Sequence, residues 1–128
     1  MVQRLATIQP LPEAILPVPL HSTRLRERGF NQALELARPM AQALALPLLI
    51  HHSQRTRATV AQTSLSAKQR RKNIRGAFQV TQPLPARHIA IVDDVMTTGQ
   101  TINELAKTLR KAGATHIDVW VCARAERD

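Results

Sequence analysis

Aromatic side chains are nearly missing from this chain: it has no tyrosine, and Phe30, Phe78 and Trp120 are its only members of that class. The core must be built from Leu, Ile, Val and Ala, and a base-stacking surface has three rings at most to draw on. Cys122 stands alone, which excludes a disulfide framework and a cysteine zinc site within the chain. No signal peptide is evident and no apolar run could span a bilayer, so the sequence reads as that of a soluble cytoplasmic protein with no membrane partner. The P-loop pattern G-x-x-x-x-G-K-[ST] and the dinucleotide pattern G-x-G-x-x-G are both absent. Internal repeats and a Ser/His/Asp or Cys/His nucleophile arrangement are missing too, and the five histidines show no metal-ligand spacing.

Acidic residues are also scarce. Nine stand against 18 Lys and Arg, for a formal charge of +9, and most of the bases are Arg. Arginine excess suits bidentate recognition of phosphate, so the expected partner is a phosphorylated small molecule, nucleic acid, or both. The length of 128 residues and 44% hydrophobic content fit one domain, 1–128, with residues 1–13 as a lead-in segment.

What is present centres on residues 89–101, IAIVDDVMTTGQT. Ile89 to Val92 form a β-branched apolar run suited to a strand buried on both faces of a parallel sheet. Asp93 and Asp94 stand where that strand is expected to end. Thr97, Thr98, Gly99 and Thr101 follow, and from Ile102 a helical face of Ile102, Leu105, Ala106 and Leu109 begins, with Gly113 as its stop. Strand, small-residue loop and helix in that order make an anion cradle, because loop amides and the helix N-terminus point at one spot. Carboxylates beside a phosphate cradle suit a ligand with vicinal hydroxyls or a divalent metal. A purely structural turn, with Thr101 as N-cap and Glu104 closing a capping box, explains those two residues but not the adjacent acids.

Upstream, residues 14–20 read as a strand leading into the arginine-rich loop of residues 21–32, where Arg24, Arg26, Arg28 and Gly29 cluster. Residues 31–46 show helical spacing, with Ala33, Ala37, Met40 and Leu44 on one face. Asn31 is the expected cap, and Pro39 predicts a kink or a break. Residues 48–51 are expected to begin a second strand. Residues 53–76 are polar, carry Arg55, Arg57, Lys68, Arg70, Arg71, Lys72 and Arg75, and hold no acid. Ser66 and Gln69 suggest a short basic helix at about 67–73. Residues 76–81 read as a returning strand, and residues 116–122 alternate, with Ile117, Val119 and Val121 opposite Asp118, Trp120 and Cys122. The resulting order predicts an α/β fold, with a mostly parallel sheet flanked by helices.

The stretch DDVMTTGQT resembles the phosphoribosyl-pyrophosphate (PRPP) motif of type I phosphoribosyltransferases, and PVPLHSTRLRERGFNQA and QTSLSAKQRRKNIRGAF resemble the ComF/GntX proteins among them. The resemblance covers residues 14 to about 123. It implies a type I phosphoribosyltransferase fold. It further implies that Thr97, Thr98, Gly99, Gln100 and Thr101 hold the 5-phosphate, and that Asp93 and Asp94 serve catalysis along the ribose and meet Mg²⁺ through substrate or water. Arg24, Arg28 and Gly29 would then bind pyrophosphate, and Arg70, Arg71 and Arg75 would belong to a flexible arm. In 6-oxopurine salvage enzymes an Asp occupies the position of Thr97, which argues against hypoxanthine or guanine as acceptor here. ComF-like proteins often carry an N-terminal cysteine-rich zinc segment, and the stretch before the first strand is too short for a full hood. The chain thus looks like a catalytic-core fragment or a truncated member.

The implied activity is phosphoribosyl transfer from Mg²⁺-bound PRPP with release of pyrophosphate, the acceptor unknown. The rival class is a non-catalytic protein of DNA uptake, since ComF proteins are associated with competence and a fold does not fix a function. Single-stranded DNA, a DNA-uptake protein and a second copy of the chain are the further candidate partners.

Overall fold

A computed structural model describes residues 10–20, 25–27, 29–56, 75–96 and 99–124. Elements follow in the order β1 (Ala14–Pro17), α1 (Gln32–Leu44), β2 (Ser53–Arg55), β3 (Phe78–Val80), β4 (His88–Met96), α2 (Gln100–Lys111) and β5 (His116–Arg124). Strands β1, β4 and β5 form a parallel sheet with β4 in the middle, and β2 pairs with β3 in a separate antiparallel sheet.

Alternation along the parallel strands sorts the apolar residues onto two faces. Ala14, Leu16, Ile89 and Ile91 pack with Ile102, Leu105 and Leu109 of α2 and with Phe78 of β3. Ile15, Ala90, Val92 and Trp120 pack instead with Ala37, Met40 and Ala41 of α1. With both faces covered, β4 carries an uninterrupted apolar run, Ile89 to Val92, at most 1% exposed.

The ends of both helices follow from local chemistry. Asn31 caps α1: its Oδ1 accepts from the amides of Ala33 (3.0 Å) and Leu34 (3.4 Å), and its Nδ2 donates to the Val18 carbonyl at 3.1 Å. That last bond fixes the helix start against the end of β1. At the far end of α2, Ala114 N donates to Leu109 O (3.0 Å) and Gly113 N to Arg110 O (3.1 Å), with Gly113 at φ 116°. This is a Schellman closure, and the glycine supplies its left-handed residue.

Several boundaries differ from expectation, each for a physical reason. One helix runs through Pro39, because that residue is exposed and the Glu35 carbonyl it deprives lies at the solvated face. Residues 48–51 form no strand; Leu48 makes a single parallel bridge to Ile15, and the chain then leaves for the β2–β3 hairpin. Strand β1 stops at Pro17, short of residue 20. Strand β4 does not end at Val92: it continues to Met96 because β5 runs beside it, pairing Asp93 with Val121 and Met96 with Arg124. Helix α2 starts two residues before Ile102, at Gln100, with Gly99 as its N-cap. The proposed basic helix at 67–73 lies outside the described residues.

Candidate functional site

The pairing of β1 with β4 ends at Pro17 and Val92, so Asp93 and Asp94 extend beyond one neighbour, with Asp93 still paired to Val121 of the other. This is the carboxyl side of the central parallel strand, where open α/β sheets bind ligands. Both acids are half-buried, and the Asp94 amide donates to Asp93 Oδ1 at 2.9 Å.

Burial is the main reason the Asp93 carboxyl is pushed up to about 7 from 3.8. A hydrogen bond shared with the Asp94 side chain and repulsion by that neighbour act in the same direction, while the Asp94 amide and the Arg55 charge oppose them. Burial and mutual repulsion thus disfavour two full charges on the pair. Oxygen donors in that state suit a hard divalent cation such as Mg²⁺, or a hydroxyl-bearing ligand.

Gly99 follows at φ 79°, a left-handed conformation open to glycine at little cost, and α2 begins at the next residue. Glycine has no side chain with which to cap, so the first amides of α2 receive nothing from their N-cap residue. Thr101 therefore lies inside the first turn and does not cap it. Glu104 does not close a capping box: its Oε1 accepts from the Gly76 amide at 3.0 Å. A helix start led by a left-handed glycine and uncapped by it is suited to an anion.

Among the expected site residues, Asp93 and Asp94 lie on β4, and Gly99, Gln100 and Thr101 at the start of α2, the next element along the chain. Gly29 is exposed at φ 80°, its amide bonded to the Leu25 carbonyl at 2.7 Å, and Arg75 is exposed just before β3. Arg24, Arg28, Arg70, Arg71, Thr97 and Thr98 lie outside the described residues.

Arg55 is a site residue that sequence reasoning missed. It belongs to β2, opposite Phe78 in the hairpin register, with its guanidinium 5.3 Å from the centroid of that ring. The hairpin packs on the α2 side of the sheet, and the charge of this cation, 38 positions upstream, acts to lower the Asp93 carboxyl. Its only sequence signal was membership of the long polar stretch. The aromatic inventory also changes: Phe78 and Trp120 are core, whereas Phe30, 47% exposed, is available for stacking.

No helix among the described residues is long and apolar enough to cross a membrane. The phosphoribosyl transferase domain family matches residues 30–128. Competence protein F of Haemophilus influenzae is 47% identical over 118 residues, which cover 90% of this chain and 52% of that protein. The DNA utilization protein YhgH of Escherichia coli (strain K12) is 42% identical over 114 residues, 89% of this chain and 50% of its own length. An orotate phosphoribosyltransferase of Xylella fastidiosa is 34% identical over 83 residues, covering 65% of this chain and 35% of that enzyme. The chain spans about half the length of the first two. Fold, motif and similarity agree that the chain belongs to the phosphoribosyl transferase domain family, in its ComF branch.

Proposed function

We propose that this chain binds PRPP with Mg²⁺ and supports transfer of the phosphoribosyl group with release of pyrophosphate. The observation that carries this reading is the half-buried Asp93–Asp94 pair, followed within a few residues by a left-handed glycine and a helix start. Phosphate at residues 97–101 and ribose hydroxyls along the acids would use both features at once.

In this reading the residues position and neutralise; none attacks covalently. The amides around Gly99 and the hydroxyls of Thr97, Thr98 and Thr101 hold the 5-phosphate. Asp93 and Asp94 accept from the ribose hydroxyls and, when ionised, stabilise positive charge developing at C1 as pyrophosphate departs. Mg²⁺, held by the acid pair through substrate or water, would share the charge of the diphosphate. Arg24 and Arg28 stabilise the leaving pyrophosphate, and Arg70, Arg71 and Arg75 add positive charge from the basic stretch. Calorimetric titration of PRPP tests this: binding is expected with Mg²⁺ and much weaker binding without it, and no binding in either condition would overturn it.

A second reading is favoured by the charge of +9 and by the names of the relatives, competence protein F and DNA utilization protein. Here the basic stretch of residues 53–76 binds single-stranded nucleic acid. It is compatible with the first, because the 5-phosphate cradle of residues 97–101 lies in a different segment of the chain. With Phe30 as the one exposed aromatic among the described residues, the contact would be mainly to phosphate.

A further inference from the structure

We propose that His88, His116 and Asp118 form a binding site for a divalent transition-metal ion, with zinc the best fit, at the amino-terminal end of the parallel sheet. The three are scattered in sequence, and the register of β4 and β5 brings them together: His88 pairs with His116, and Ala90 with Asp118. Residues 88, 116 and 118 share one face of the sheet, so all three side chains meet at one edge of it.

The donor atoms already converge. His88 Nε2 lies 2.7 Å from Asp118 Oδ2, and His116 Nε2 lies 3.2 Å from Asp118 Oδ1. One potential ligand atom from each residue falls within 4.8 Å of the others. Zinc–nitrogen and zinc–oxygen bonds of about 2.0–2.2 Å in a tetrahedron need donors a little over 3 Å apart, so small side-chain rotations complete the site. The two rings are 4.2 Å apart between centroids and inclined at 71°, so they approach the carboxylate from different directions and do not stack face to face. Two imidazoles and one carboxylate suit zinc and its neighbours, whereas Mg²⁺ and Ca²⁺ prefer oxygen throughout.

Hydrogen bonds from both sides fix the backbone under these ligands. The His88 amide (2.9 Å) and the Arg87 amide (3.2 Å) both donate to Glu13 Oε1, and the Glu13 amide donates to the His88 carbonyl at 2.8 Å. Those two amides hold the Glu13 carboxyl below its usual range. Across the gap, the amides of Thr115 and His116 share the Arg87 carbonyl at 2.9 and 3.2 Å. The ligands therefore sit on braced strand ends, the arrangement a precise metal site requires. His88 is 13% exposed and Asp118 28%, while His116 is 60% exposed, which leaves a coordination position open to water or an outside donor. The site is distinct from the acid pair: Asp93 is five residues along β4, roughly 17 Å at the strand rise.

The plainer alternative is that Asp118 accepts a hydrogen bond from each imidazole and binds nothing. Calorimetric titration of the full chain with Zn²⁺ separates the two. One ion per chain is expected, with His116→Ala and Asp118→Asn each weakening binding at least about tenfold, the loss that removing even an outer-shell partner can cause. His51→Ala combined with His52→Ala is the control and should keep the affinity. The exposed His116 ring can be removed without disturbing the core, so that variant decides the matter if Asp118→Asn does not fold. Absence of saturable binding, binding unchanged in His116→Ala, or binding lost only in the His51/His52 variant would overturn the proposal.

Discussion

The Gly76 amide donates to Glu104 Oε1 across 3.0 Å, so the residue that closes the basic stretch is tied to the helix whose start follows the acid pair. The bond joins two segments 28 positions apart and sets where the chain re-enters the fold before β3. Glu104→Ala should cost about 1 kcal/mol, the net worth of one partly solvated hydrogen bond. Glu104→Gln retains an acceptor and should cost much less. Urea denaturation of the three proteins checks the order.

In the Mg²⁺-free protein, Asp93 titrates near 7 in the folded state against 3.8 for an ordinary Asp. Between those values the folded protein keeps a proton that the unfolded chain releases. Its contribution to stability is therefore full below the unfolded value and is lost as pH rises through about 7. Asp93→Asn removes that dependence. Melting temperatures should show the variant more stable than the parent above this range and close to it at acid pH. Binding of Mg²⁺ and PRPP, which needs the ionised form, should strengthen over the same rise.

Gly99 sits at φ 79°, so a β-branched replacement is strained there whatever space surrounds it. Gly99→Val should lose about 1–3 kcal/mol of stability and also lose binding of ribose 5-phosphate. A folded variant that binds the sugar phosphate normally would place the cradle elsewhere.

Pro39 interrupts the hydrogen-bond ladder of α1 without ending the helix. Pro39→Ala restores an amide at an exposed position and should stabilise the protein by about 1–3 kcal/mol, measured by urea denaturation.

The helix faces were legible because they depend on local pattern. Leu105, Leu109 and Ala37 are fully buried, and Ala33 and Met40 nearly so, in the arrangement their 3.6-residue spacing requires. The length of β4 was not legible, because an apolar run marks burial, whereas the ladder that carries the strand to Met96 is a backbone property set by β5. Register hid the rest. The β2–β3 register sets Arg55 over Phe78, and His88 meets His116 and Asp118 through a parallel alignment that no spacing along the chain reveals. Phe78 and Trp120 also went to the core, so Phe30 alone keeps the stacking role that all three could have filled.

The nucleic-acid reading has its own signature. Each phosphate contact on a single strand contributes a slope of about −0.7 in log K against log salt. Replacing Arg70, Arg71, Lys72 and Arg75 with Ala should flatten the slope for single-stranded DNA by roughly 2 to 3, while PRPP affinity changes much less. Tight DNA binding at physiological salt that vanishes in the variant, with PRPP affinity untouched, would make the nucleic-acid role primary.

The most direct test of the central claim compares Mg²⁺-dependent PRPP binding by calorimetry in the parent and in Asp93→Asn with Asp94→Asn, with circular dichroism confirming that both are folded. The acids lie beyond the last pairing with β1 and are not part of either apolar cluster, so the double variant should fold as the parent does. The account predicts binding in the parent and none in the folded variant. Equal PRPP affinity in the two folded proteins would contradict it.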